Sequence, residues 1–225
     1  MFNNVFSGKK VLITGNTGFK GSWLTLWLHS IGAKVVGVSK DIPTNPSLFE
    51  SLNIEDKIEH NFIDICNYEE LKKIFQNENP DFVFHLAAQA IVSTSYSSPI
   101  ETLQTNAVGT LCVLESIRSL ENNCTAIIIT SDKCYENVEW SYGYRENDRL
   151  GGKDIYSGSK AAAEAIIYSH YNSFLKDKEN ISIGITRAGN VIGGGDWAKD
   201  RIVVDCMRAW SQDKKVEIRS PNSTR

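Results

Sequence analysis

Three glycines, Gly15, Gly18 and Gly21, break the stretch KVLITGNTGFKGSWLTLWLHSIG into a short apolar run and an apolar periodic one, and no other feature constrains the fold as tightly. Val11 to Ile13 read as a strand, and Trp23, Leu24, Trp27, Leu28 and Ile31 recur at helical spacing. A strand and a helix joined by so few residues need a tight turn, which the first glycine permits. The second lets backbone amides approach a pyrophosphate, and the third lets the helix pack on its strand. The unpaired amides of the helix N-terminus then face the phosphates. A dinucleotide site is the expectation, but glycines also punctuate ordinary loops, so the rest of the chain must supply the context.

That context is an alternation of strands and helices. KVVGVS, residues 34–39, reads as the second strand. An acid about 20 residues beyond the glycines ordinarily holds the adenosine ribose. Here the chain offers Ser39, Lys40 and Asp41; Lys40 could meet a phosphate and Asp41 a hydroxyl, so charge leaves NAD and NADP both open. Further strands are expected at residues 58–63, 81–86, 126–130 and 182–187, with a short one at 216–218. Helical spacing appears at 68–77, 100–120, 156–175 and 202–210, with Leu103, Ala107, Leu111, Leu114 and Ile117 on the buried face of the second of these. The implied fold is α/β: a doubly wound parallel sheet of Rossmann type over residues 1–187, with residues 188–225 opening a smaller C-terminal substrate lobe.

Composition narrows the partners. A formal charge of -3 without blocks of Lys or Arg argues against a nucleic-acid or anionic-membrane surface and for a small molecule. No apolar run is long enough to span a bilayer and MFNNVFSGKK does not read as a signal peptide, so the cytoplasm is the expected location. Cys66, Cys112, Cys124, Cys134 and Cys206 lack C-x-x-C spacing and read as free thiols, with no metal site.

Two Tyr-x-x-x-Lys patterns occur, Tyr68 with Lys72 and Tyr156 with Lys160. On a helix this spacing puts both side chains on one face. An ammonium beside a phenol stabilises the phenolate and makes it a usable acid or base near neutral pH. The second pair is preferred, because the strand ending near Thr130 delivers Ser131, Asp132 and Lys133 to the same sheet edge, whereas Tyr68 opens a helix with no such partner.

Taken together, TGNTGFKG (Thr14 to Gly21), Asp64-Ile65, HLAA (His85 to Ala88), NAVGT (Asn106 to Thr110), Ser131, YSGSK (Tyr156 to Lys160) and RAGNV (Arg187 to Val191) resemble the extended short-chain dehydrogenase/reductase family. SDK after the fifth strand, with TSDKCYENVEW and RAGNVIGGGDWAKDRIV, is similar to its nucleotide-sugar 4,6-dehydratase branch. The resemblance implies bound NAD, held by Gly15, Thr17, Gly18, Phe19, Lys20 and Gly21 in the first turn and by Ser39, Lys40, Asp64 and Ile65 after the second and third strands. Leu86, Ala87, Ala88, Gln89 and Thr105 would complete that site with Tyr156 and Lys160. It implies Tyr156, assisted by Ser131 and Lys160, as the group that takes the proton from a sugar 4-hydroxyl, Asp132 as the acid at the leaving hydroxyl, and Lys133 where related enzymes carry a glutamate base. Ser131, Asn190, Arg201 and Arg225 would contact the nucleotide sugar, with CDP-glucose as the implied substrate. A homodimer and a part in deoxysugar and surface-polysaccharide (O-antigen) synthesis are implied as well.

Members of this branch continue beyond the position of Arg225, so the resemblance also implies a fragment or a truncated form that holds cofactor but turns over nucleotide sugar poorly. Two other readings stay open: an epimerase or reductase of the same fold, which would not need Asp132 and Lys133, and a dinucleotide-binding protein without activity, which would not need Tyr156 and Lys160.

Overall fold

The computed structural model describes residues 2–219, 221 and 222. Six parallel strands form one sheet in the order β3-β2-β1-β4-β5-β6, with β1 at Lys10–Thr14, β2 at Lys34–Ser39, β3 at Glu59–Phe62, β4 at Phe82–His85, β5 at Cys124–Ile129 and β6 at Ile181–Thr186. The order reverses between β1 and β4, whose register pairs Thr14 with His85. Such a switch point opens a crevice at the carboxyl edge, where doubly wound sheets take their ligands.

Helices cover both faces, which is why the central strands carry continuous apolar residues. Val11, Ile13, Leu28 and Val35 form one buried cluster beneath α1 (Phe19–Ser30). Leu12, Val38, Val83, Ala126 and Ile128 belong to the larger cluster on the other face, where Leu71 and Phe75 of α3 (Tyr68–Glu78) and Val113, Leu114 and Ile117 join them. A four-residue α2 (Leu48–Ser51) interrupts the proline-containing loop after β2.

Two details differ from the expectation. The helix expected at 100–120 comprises α5 (Pro99–Leu103), a π turn at Gln104–Val108 and α6 (Gly109–Arg118), preceded by a short α4 (Val92–Ser97) that no apolar periodicity announces. The wider π turn advances the phase of the wall, so Ala107, Leu114 and Ile117 are buried while Leu103 and Leu111 face outward. Residues 216–218 are irregular, since among the described residues the Val-Glu-Ile run has no neighbouring strand to complete its hydrogen bonds.

The long α7 (Ile155–His170) continues through a second π turn at Tyr171–Leu175. After β6 the chain passes an irregular glycine-rich segment to α8 (Ile202–Trp210), of which Val204 is buried while Ile202, Val203, Met207 and Trp210 are exposed. No helix among the described residues is long and apolar enough to cross a membrane. All five cysteines are free thiols.

Candidate active site

The glycine turn is as tight as its sequence demands. Gly15 adopts a positive φ of 77°, and a Cβ there would lie 2.6 Å from the Ala87 nitrogen. At Gly21 a Cβ would fall 2.0 Å from the Gly15 carbonyl, so the third glycine lets α1 sit on the turn. Gly18, which caps α1, is different: its nearest atom to an added Cβ is 3.4 Å away. Its open side is the room a pyrophosphate needs in front of the first helical amides.

Behind the turn lies a buried polar frame that sequence reading did not assign. Asn16 is fully buried, accepting from the Ser39 hydroxyl at 2.7 Å and meeting His60 Nδ1 through its amide at 3.0 Å. Ser39 also accepts from the Thr17 amide at 3.3 Å, and the Thr17 hydroxyl donates to the Asp41 carbonyl at 2.7 Å. Thr17 and Ser39 therefore brace the turn with their hydroxyls. Lys40 is exposed and lies 3.5 Å from Asp64 and 3.3 Å from Glu101. Its pKa is raised, first by the Glu101 hydrogen bond. Ile65 is buried under Gly109 and serves the core.

From β4 a second chain of hydrogen bonds leads toward the helix that carries Tyr156 and Lys160. His85 is buried, and burial pushes its pKa down to about 3, with the Lys160 charge adding to the effect. The Thr110 hydroxyl donates to the Asn106 carbonyl at 2.7 Å, so it must accept from His85 Nε2 at 3.1 Å. The bare Nδ1 then accepts from Thr14 at 2.7 Å, which fixes a neutral Nε2-H tautomer. Asn106, inside the first π turn, accepts from the Gln89 amide at 2.9 Å and donates to the Gln89 carbonyl at 3.1 Å and to Ser159 at 2.8 Å. The polar frame thus holds the Leu86–Gln89 segment against α7. Ala87 and Ala88 are half-buried there, as is Thr105 in the π turn.

Asp154 caps α7, accepting from the Ser157 amide at 2.9 Å and from its hydroxyl at 2.8 Å. Tyr156 and Lys160 follow on one face, 8% and 6% exposed. Burial, then the charge of Lys20, pushes Lys160 down to about 8. Among the described residues Lys160 has no hydrogen-bonding acceptor, so its ammonium has capacity for ligand hydroxyls. Lys20 on α1 is lowered by burial and then by Arg201. The charge of Lys20 thus acts on Lys160, and that of Arg201 on Lys20. Arg201 Nε lies 3.3 Å from Asp196 Oδ2 without the alignment of a hydrogen bond.

Beyond β5, Ser131 caps a tight turn over Asp132–Cys134, donating to Asp132 at 3.1 Å and accepting from the Lys133 amide at 3.3 Å. Ser131, Asp132 and Lys133 are half-buried at this edge, and the Asp132 amide donates to the Ala188 carbonyl at 3.0 Å. Asn190 is exposed in the following segment, and Arg225 lies outside the described residues. The other candidate pair sits elsewhere: Lys72 Nζ is 5.7 Å from the Tyr68 ring centre, in a groove shared with Glu115, Arg118 and Phe174. Among the described residues no group of three or more His, Cys, Asp or Glu side chains could hold a metal ion.

Residues 12–187 match the family model described as GDP-mannose 4,6 dehydratase. The chain belongs to this family. Within the family's range of relatives it is 47% identical to CDP-glucose 4,6-dehydratase of Salmonella typhimurium over 99% of its own length, and spans 63% of that protein. It is 30% identical to dTDP-D-glucose 4,6-dehydratase of Dictyostelium discoideum, covering 93% of this chain and 50% of the relative. Among solved structures it resembles UDP-glucuronic acid 4-epimerase from Bacillus cereus in complex with UDP-glucuronic acid and NAD, at a TM-score of 0.77 and 25% identity over 92% of this chain and 64% of that one.

Proposed function

We propose that this chain is the cofactor-binding and catalytic part of an NAD-dependent CDP-glucose 4,6-dehydratase, with residues 1–187 as the cofactor domain and residues 188–225 opening the nucleotide-sugar lobe. One observation carries the reading: the 47% identity to a CDP-glucose 4,6-dehydratase runs over 99% of the chain, and the half-buried Ser131, Asp132 and Lys133 at the β5 edge agree with it. An epimerase has no use for an acid and base pair at that edge.

The residues fit NAD. The open side of Gly18 takes the pyrophosphate, and Lys160 has donors to spare for ribose hydroxyls. At the ribose position Lys40 already faces Asp64 and Glu101, with Asp41 beside it, which leaves an acidic surplus that favours a 2′-hydroxyl over a 2′-phosphate. When bound, the nicotinamide supplies the acceptor and later the donor of hydride. Tyr156 takes the proton of the sugar 4-hydroxyl, with Ser131 as its hydrogen-bonding partner and the Lys160 ammonium stabilising the phenolate. A ketone at C4 acidifies the C5 hydrogen, which Lys133 removes as its neutral amine while Asp132, as the protonated carboxylic acid, gives its proton to the departing 6-hydroxyl. Lys20, Arg201 and Arg225 hold the diphosphate, and Asn190 contacts the nucleotide sugar.

A second copy of the chain fits the outer wall. Ile100, Leu103, Val108 and Leu111 are all exposed, as are Tyr168 near the end of α7 and Tyr171 and Phe174 in the π turn that continues it, and a homodimer would cover this apolar surface. The cytoplasmic setting and a role in O-antigen synthesis belong to the same reading. Incubation with CDP-glucose and, separately, dTDP-glucose tests it. A 4-keto-6-deoxy product from CDP-glucose supports the proposal, and an epimerised product without loss of water defeats it.

A further inference from the structure

We infer that Glu164 is a positioning residue, whose carboxylate fixes the strand end carrying Ser131, Asp132 and Lys133 against the helix carrying Tyr156 and Lys160. Tyr156, Lys160 and Glu164 succeed one another at intervals of one helical turn, so they share a face of α7. Glu164 is 3% exposed and accepts three bonds to two other elements. The hydroxyl of Thr130, the residue before Ser131, donates to Oε1 at 2.6 Å. Arg187, just past β6, donates from Nε to Oε1 at 2.9 Å and from Nη2 to Oε2 at 3.0 Å.

Arg187 extends the brace to the loop over the site. Its Nη1 donates to the Glu146 carbonyl at 2.9 Å, and its guanidinium lies 4.7 Å from the centre of the Tyr135 ring. One carboxylate therefore joins the end of β5, the end of β6, the loop of residues 135–154 and the catalytic helix. Burial opposes its charge, but the bonds from Arg187 and Thr130 outweigh burial and keep the pKa below the ordinary carboxylate value. A buried ion pair adds little net stability over an apolar packing. What this one adds is direction: an ionised carboxylate only accepts, so three donors can meet it in one register. Misplacing a reacting group by about 1 Å can cost up to about 100-fold in rate, so the register between Ser131 and Tyr156 matters to turnover.

The inference rests on Tyr156 as the proton acceptor of the proposed dehydratase, and its test has a readout that needs no substrate. Thr130→Val deletes the hydroxyl bond and keeps the shape, Thr130→Ser keeps the bond, and Glu164→Gln removes the charge. The Tyr156 phenol is titrated by ultraviolet absorbance in each background, as the difference from the same protein carrying Tyr156→Phe, alongside melting temperature, kcat and KM. Thr130→Val and Glu164→Gln are expected to raise the phenol midpoint by about 1 pH unit, as its partners move off. They are expected to lower kcat about tenfold with KM nearly unchanged, and Thr130→Ser should restore both. Midpoints equal to wild type in all variants overturn the inference, even if melting temperatures fall. Failure of wild type to dehydrate CDP-glucose sinks the functional reading alone, because the phenol titration still decides whether Glu164 positions Tyr156.

Discussion

Gly15 and Ala87 approach so closely that a Cβ on the glycine would fall 2.6 Å from the alanine amide nitrogen. The turn and the segment after β4 therefore form one surface. Gly15→Ala adds both this overlap and a strained positive φ, so we expect loss of several kcal/mol, about 2–4, and of NAD binding together. Thermal unfolding with and without NAD checks it; a variant that is destabilised yet still binds NAD normally would separate the two effects.

Tyr156→Phe should lower kcat by about 100-fold or more while NAD affinity changes little, since a proton acceptor is removed with little volume. Tyr68→Phe, in the groove with Lys72 and Arg118, should leave turnover within about twofold. Comparable losses at the two positions would mean that the wrong pair has been assigned to the chemistry.

His85 predicts the acid limit of the fold. Its folded pKa, about 3, lies below the value of 6.5 for an exposed histidine. Between these values the unfolded chain binds a proton that the folded one refuses, so stability is fully present above pH 6.5 and is lost as pH falls toward 3. Denaturation midpoints from pH 7 to 4 should fall, and should fall less steeply in His85→Gln, which cannot charge. Parallel slopes would show that carboxylates elsewhere govern the acid limit.

If the outer wall seats a second copy, Val108→Glu should yield monomers by light scattering, because a charge would be buried in an apolar contact. A wild-type protein that is already monomeric at high concentration would refute the homodimer.

The strands and the glycine turn were legible because each rests on local pattern: apolar β-branched runs, and glycines where a Cβ would collide. That Tyr156 and Lys160 share one face of a helix was legible for the same reason, since they are one turn apart. The partners that hold them were not. Glu164 and Arg187 are 23 positions apart and meet only because β6 returns beside β5. The acid one turn beyond Lys160 was the available signal, and it reads equally well as a solvated charge. Ser39 stood at the right distance to meet a ribose, but its hydroxyl is engaged by Asn16 and Thr17, a contact visible only once β1 and β2 are adjacent. In α4 the residues VSTSYS carry no apolar period, so nothing announced a helix.

The π turn at Gln104–Val108 works as a phase shifter. A regular α-helix turns about 100° per residue, so winding all five of these residues as ordinary α-helix would rotate all that follows by about that angle relative to Pro99–Leu103. Ile100 and Leu103 would then no longer share a side with Val108 and Leu111, and Asn106 would swing away from Gln89. The outward stripe and the inward amide are kept in step by the same wider turn. A single-residue deletion that closed the π turn would leave the flanking helices in phase and keep the outward stripe, while displacing the Asn106 amide from Gln89.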